Sequence, residues 1–315
     1  MKSAGAYRGR GFATQLLWGL LAASGISLPL SASAEDVAIT FDDLPLNGVL
    51  PPNTTRTQIV QRVVTILKQH QVPPVYGFVN AKRLEGIQDG AEALKAWVAA
   101  GEHVGNHSYS HPDLNAESGE LFLSDVYLNE PVLELLSKGD EWRWFRYPFL
   151  HEGDTLDKRR SVRAGLRGRG YRIAQVTLDY EDYLWNSPYA RCSGKADSAS
   201  IRWLRSTYLM MAAAYIDASQ RTARLVFGRD ISHVLLLHLG AFSESILPDV
   251  LALLQQKRLR LVTLEEAQKD PAYQSDPDAP SSYGGTLLEQ WMAARRMKYP
   301  AVPPKPYKEL ENVCR

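Results

Sequence analysis

The chain has 315 residues, 45% of them hydrophobic and 23% charged, and 36 Lys and Arg nearly balance 35 Asp and Glu for a formal net charge of +1. A near-neutral balance offers no global electrostatic basis for nucleic-acid binding, and no nucleic-acid partner is expected. Its two cysteines, Cys192 and Cys314, stand at no metal-ligand spacing, which excludes a cysteine-ligated zinc module.

Lys2, Arg8 and Arg10 precede a mostly apolar stretch from Phe12 to Leu30, which ends in Ala32-Ser33-Ala34 ahead of Glu35-Asp36. Residues 1–34 therefore read as a secretory signal peptide, too short and too broken by Gly and Ser to span a membrane comfortably; an uncleaved anchor is the alternative. The expected product is exported, periplasmic or secreted, with no stable membrane insertion. Cleavage removes three cations and no acid, which takes the net charge from +1 to −2. In an exported chain an even pair of cysteines suggests one disulfide tying the C-terminal tail to the loop near 192, with two free thiols as the alternative.

Beyond residue 34, short apolar runs alternate with amphipathic stretches. Strands are expected at 37–41, 75–79, 103–106, 144–147, 172–178, 233–238 and 260–262. Helices are expected at 57–69, 91–100, 117–136, 156–169, 201–227 and 246–256, the third of them kinked or broken by Pro131. Seven strands alternating with helices predict a parallel sheet, open or closed into a barrel. The basic run Lys158-Arg159-Arg160 with Arg163, Arg167, Arg169 and Arg172 reads as a solvated helix face, or as a contact surface for an anionic polymer. From Asp270 the chain is rich in Pro, Ser, Asp and Tyr and reads as an irregular extension, 270–315, with one helix at 287–297.

Five segments place polar clusters at or just after strand ends: Thr40-Phe41-Asp42-Asp43, His107-Ser108-Tyr109-Ser110-His111, Arg146-Tyr147-Pro148-Phe149, Asp179-Tyr180-Glu181-Asp182, and Leu236-Leu237-His238. In parallel α/β architectures that end of the sheet carries the active site, so residues spread over two hundred positions converge on one mouth. Two histidines and a carboxylate can hold a divalent ion and leave positions open for water and substrate. Successive side chains on a strand diverge, so Asp42 and Asp43 should serve different roles. Zinc is the leading candidate for two imidazoles and one carboxylate, and Co, Ni, Mn or Fe suit the same set. His233 starts its strand and is read as structural.

The order and content of these segments, from about Val37 to Thr263, resemble the polysaccharide deacetylases, carbohydrate esterase family 4; Thr-Phe-Asp-Asp and His-x-x-x-His-Pro are the most specific parts. The resemblance implies a distorted (β/α) barrel of about seven parallel strands over 35–269, and an enzyme that removes N-acetyl groups from an amino-sugar polymer. It implies Asp43, His107 and His111 as metal ligands, Asp42 as general base and His238 as general acid. It also implies that Arg146 orients Asp42, with Asp179 or Asp182 as a second partner, and that Leu236 lines an acetyl pocket. Tyr183 stands where the family usually has Trp, and Tyr147-Pro148-Phe149 replaces its usual Pro-Pro-Tyr, so Pro148, Phe149 and Tyr183 bear on which sugar is taken. His151 and Glu152 read as an exposed loop, with added substrate contacts as the alternative. Hydrolysis of another amide or an O-acetyl ester, and a catalytically idle carbohydrate-binding barrel, are the alternatives.

Overall fold

A computed structural model describes residues 35–315 except 88, 138 and 140; the expected signal peptide lies outside the described residues. The strands are β1 (Glu35–Leu44), β2 (Tyr76–Val79), β3 (His103–Asn106), β4 (Trp144–Phe145), β5 (Arg172–Ile173), β6 (Leu178–Asp179), β7 (His233–His238) and β8 (Leu259–Leu261). All pairings are parallel, in the order β5-β4-β3-β2-β1-β7-β6, with β8 beside the first residues of β1. The expected single strand at 172–178 is two short ones. Residues 174–177 leave one edge of the sheet, where the Ala174 N–H donates to Phe145, and reach the other, where the Thr177 N–H donates to Val234. That link joins the two ends of the strand order and curls the sheet into a distorted barrel.

The helices are α1 (Arg56–Gln69), α2 (Gly90–Ala99), α3 (Gly119–Leu128), α4 (Glu130–Leu136), α5 (Leu156–Gly168), α6 (Asn186–Gly194), α7 (Ser198–Phe227), α8 (Ala241–Gln256), α9 (Leu264–Ala267), α10 (Leu287–Ala294) and α11 (Tyr307–Asn312). The expected helix at 117–136 breaks at Asn129, so that Pro131 falls in the first turn of α4, where its missing N–H costs nothing. α1 starts on a capping box between Thr55 and Gln58 and buries Ile59, Val60, Val63 and Leu67 on one face, the i, i+1, i+4, i+8 spacing of an amphipathic helix.

Two layers of core follow from strand periodicity. One face of the sheet packs Ile39, Phe41, Val79, Phe145, Leu235 and Leu237 against the helices. The alternate residues Ala38, Tyr76, Phe78, Trp144 and Val234 make a separate cluster, the barrel interior. Gly105 belongs to this inner face, and a Cβ there would lie 2.6 Å from the Phe78 ring.

The basic run is neither a bare helix face nor an open cationic surface. Arg159 is fully buried, 3.2 Å from Glu152 and 2.7 Å from Asp276; Arg163 bridges the same two acids; Arg160 pairs with Asp278 and Arg169 with Glu130. Glu152 is likewise buried, which corrects its reading as an exposed loop residue. Burial pushes its carboxyl up, but Arg163 and Arg159 more than offset this and hold it below the usual range.

Cys192 and Cys314 form a disulfide across 122 residues, with a Cα–Cα distance of 5.2 Å. Arg191 reinforces the closure by donating to the carbonyls of Leu310 and Val313. A cross-link over so long a loop restricts the unfolded chain strongly. Replacing both cysteines with Ser is expected to cost about 2–5 kcal/mol. Denaturant unfolding of the two proteins checks this, and equal midpoints would refute it.

Candidate active site

The inner-face periodicity brings the polar clusters together. Along β1 the inner residues are Ala38, Thr40 and Asp42; along β7 they are Val234, Leu236 and His238, in register with β1 as Thr40↔Leu236 and Asp42↔His238. His107 follows β3 and Arg146 follows β4, each one step beyond the strand on the same parity. The expected convergence is therefore a layer of the barrel interior at the C-terminal ends, where the apolar filling stops.

Asp43 has the wrong parity for that layer. A register irregularity between Phe41 and Leu44 and a left-handed backbone at Asp43 (φ 66°) turn its carboxylate inward beside that of Asp42. His111, Phe149, Leu150 and Glu181, which line the same cavity, also have positive φ, as does Ser108 between the two histidines. Such conformations are costly for residues with a Cβ, and their concentration here is strain held by the surrounding framework.

Asp43 Oδ1 lies 3.8 Å from His107 Nε2 and 3.6 Å from His111 Nε2, and one ligand atom from each residue falls within 4.8 Å of the others. The oxygen is buried and accepts no hydrogen bond, although the Arg83 guanidinium stands 3.1 Å away. The other oxygen accepts from Asn47 Nδ2 at 2.6 Å. His107 Nδ1 is 2.8 Å from the Arg146 carbonyl, which makes Nδ1 the donor and turns the Nε2 lone pair toward Asp43. Burial holds both imidazoles down at about 4, with His107 adding to the effect on His111. Burial pushes Asp43 up, but Arg83 and the nearby histidines outweigh it and keep the carboxyl well below its ordinary range. Two neutral imidazoles and one carboxylate, with an orphaned buried oxygen between them, fit a divalent cation.

Asp42 is buried beside this set, with Oδ2 3.6 Å from His107 Nε2. Arg146 donates to both its oxygens, at 3.1 and 3.3 Å, and also to Thr40 Oγ1 and the Ala174 carbonyl. Among the described residues neither Asp179 nor Asp182 hydrogen-bonds Arg146. Burial pushes the Asp42 carboxyl up against the pull of Arg146.

Asp182 serves His238 instead. Its Oδ1 is 2.7 Å from His238 Nδ1, and its Oδ2 accepts from the His238 N–H and from Ser243 Oγ, both at 2.8 Å. Burial disfavours a charged His238, but Asp182, with Asp43 and Asp42 beyond it, raises the imidazole to about 9. A proton held there is available at neutral pH. The pair contributes its full stability below the ordinary value of 6.5 and loses it as pH rises through about 9. Asp182→Asn is expected to move the basic limb of a pH–rate profile down by about 1–3 units at unchanged metal content. An unmoved limb would show that His238 is not the titrating acid.

Asp179 accepts from the Glu181 N–H at 2.8 Å and is pushed up to about 6 by burial. Leu236 is buried on the cavity wall, and Tyr183 sits edge-on to His238 at 5.1 Å. Phe149 is half-exposed and edge-on to His111 at 4.5 Å; Pro148, just before it in the chain, is buried. His151 also reaches the cavity, held by Asp113 at 2.6 Å.

The cavity measures ≈ 680 Å³, and part of its wall is invisible to sequence reasoning: Tyr283, Gly285, Glu289 and Lys305 come from the segment expected to be an irregular extension. Arg83, Asn47 and the buried amides that shape the histidine loop also escape a sequence reading. Asn80 donates to the carbonyls of His107 and Ser108, while Asn106 accepts from the Ser108 N–H and from Asn129. No motif spacing marks such residues; only their position behind the loop does.

Fold and site together define a distorted (β/α) barrel with two histidines and a carboxylate that could hold a cation, a second carboxylate and an acid-paired histidine at its C-terminal mouth. The family model for polysaccharide deacetylase matches residues 31–168, and in this segment the chain is similar to the polysaccharide deacetylases. It is 30% identical over 154 residues to a chitin deacetylase of Colletotrichum lindemuthianum, covering 48% of this chain and 54% of that protein. It is 28% identical over 105 residues to the peptidoglycan-N-acetylmuramic acid deacetylase PdaA of Bacillus subtilis, covering 33% and 35%. The chain thus spans about half the length, or less, of these relatives. The solved chitin deacetylase from Colletotrichum lindemuthianum shares the fold, with a TM-score of 0.50 at 24% identity over 75% of this chain and 88% of that one. Among the described residues no helix is long and apolar enough to cross a membrane.

Proposed function

We propose that this chain is an exported, metal-dependent hydrolase that removes N-acetyl groups from an amino-sugar polymer or oligosaccharide. The observation that carries the reading is the pairing of two proton-transfer groups, Asp42 held by Arg146 and His238 held by Asp182, on one cavity beside Asp43, His107 and His111. Sugar binding alone requires neither a base nor an acid. Asp43, His107 and His111 would hold the cation, with zinc the leading candidate. The bound ion would supply Lewis acidity toward water and the amide carbonyl oxygen.

Asp42 takes a proton from the attacking water as its oxygen bonds the acetyl carbon. His238 gives its proton to the sugar nitrogen as the C–N bond breaks, releasing acetate and a free amine. Leu236 offers an apolar surface for the acetyl methyl group. Export is supported by the pattern of residues 1–34 and by the disulfide, which belongs to an oxidising compartment.

Acetate release from N-acetylglucosamine oligomers by the purified protein, after chelation and again after zinc is restored, tests the reading. Release should vanish and return. Oligomer binding without acetate at any metal loading would favour the idle binding protein, and release only from O-acetyl esters would favour the esterase.

A further inference from the structure

Residues 281–307 lie far along the chain from the polar clusters, yet they build one wall of the cavity. The stretch Ser281-Ser282-Tyr283-Gly284-Gly285 is pinned on both sides. The Ser281 N–H donates to Gly153 at 2.8 Å, Asn115 Nδ2 donates to the carbonyls of Ser281 and Ser282, and the Leu287 N–H donates to Val176. Gly284 has φ +71°, and a Cβ on it would lie 2.4 Å from the Phe149 carbonyl oxygen, so only glycine allows the segment to lie this closely on the loop that carries Phe149. Behind it, Thr286 and Glu289 form a capping box at the start of α10, and Gln290 donates to the buried Glu152.

This held backbone presents Tyr283, which lines the cavity yet is 95% exposed. A large aromatic ring on a fixed loop, with no protein partner covering it, is a stacking surface that costs little entropy to use. Further along, Lys305 is 2.8 Å from Glu181, whose carboxylate also accepts from the Tyr307 hydroxyl at 3.0 Å. Glu181 thus neutralises Lys305, so the cation this segment places on the cavity wall is not free to hold an anionic substituent. The cavity is larger than one pyranose ring requires.

We propose that segment 281–307 builds a second sugar subsite at the mouth of the cavity, with Tyr283 as the stacking face for an uncharged pyranose next to the residue being deacetylated. The proposal rests on the deacetylase reading, and its test separates the two. Calorimetry on the zinc-loaded Asp42→Asn protein, with N-acetylglucosamine and its tetramer, gives affinities without turnover. Adding Tyr283→Ala should weaken tetramer binding about tenfold, roughly 1.4 kcal/mol, and monomer binding by less than about twofold. Tyr283→Phe, which keeps the ring, should hold tetramer affinity within about twofold. Equal losses for monomer and tetramer, an unchanged tetramer affinity, or no oligomer binding at all would overturn the subsite. Acetate release by the unsubstituted protein is read separately. Tyr283-dependent tetramer binding without release sinks the deacetylase reading and leaves the subsite standing. Release with Tyr283-independent binding does the reverse.

Discussion

Replacing Asp42 with Asn is expected to lower acetate release by a factor of about 10²–10⁴ while the cation still binds. The substitution is nearly isosteric, and the side-chain oxygen can still accept from Arg146, which reaches both oxygens of Asp42. What it removes is the capacity to take a proton. Asp43, His107 and His111 are untouched, so metal content per chain should match that of the parent protein. Metal analysis alongside initial rates separates the two roles of the adjacent carboxylates. Loss of bound metal would make Asp42 a ligand, and undiminished acetate release would remove it from the mechanism.

Arg146→Ala is expected to be more damaging to the protein as a whole, costing about 3–5 kcal/mol of stability as well as the activity. Arg146 and Asp42 are both buried, 1% and 2% exposed, and the guanidinium also bonds Thr40 and the Ala174 carbonyl and lies over the Phe78 ring at 4.6 Å. Its removal leaves a carboxylate inside the barrel without a counter-charge, and burial already pushes that carboxyl up. The predicted consequence is protonation of Asp42 and loss of the base. Denaturant unfolding reads the stability. The double variant Arg146→Ala with Asp42→Asn, which has no stranded charge, should recover part of the loss. No recovery would place the cost in lost packing and hydrogen bonds rather than in the unpaired carboxylate.

The polar clusters are legible in the sequence because strands end where apolar periodicity ends, and in a parallel sheet those ends share one side. Asp42, His107, Arg146 and His238 stand out for that reason, each being the last inward-facing position of its run or one step past it. Asp43 is legible only as a neighbour: strand geometry alone sends it outward, and a bulge with a left-handed residue returns it. The partner of His238 escapes a sequence reading because Asp179 and Asp182 share a segment with no periodicity to distinguish them. The short helix at Asp182–Trp185 turns Asp182 back onto β7 and leaves Asp179 on the cavity wall. The basic run misleads because charge counted along a helix says nothing of Glu152 and Asp276 on other elements.

Local periodicity, and the types of side chain placed where it stops, dictate the alternation of strands and helices, the parallel sheet, and the chemical inventory at the strand ends. Those features are written into short stretches of chain and need no distant partner. Which acid serves which base, the bracing of Asp43 by Arg83 and Asn47, and the walling of the cavity by residues 281–307 arise only on folding. Each of these is a contact between positions remote along the chain or turned by a single backbone angle, and no local pattern encodes such contacts.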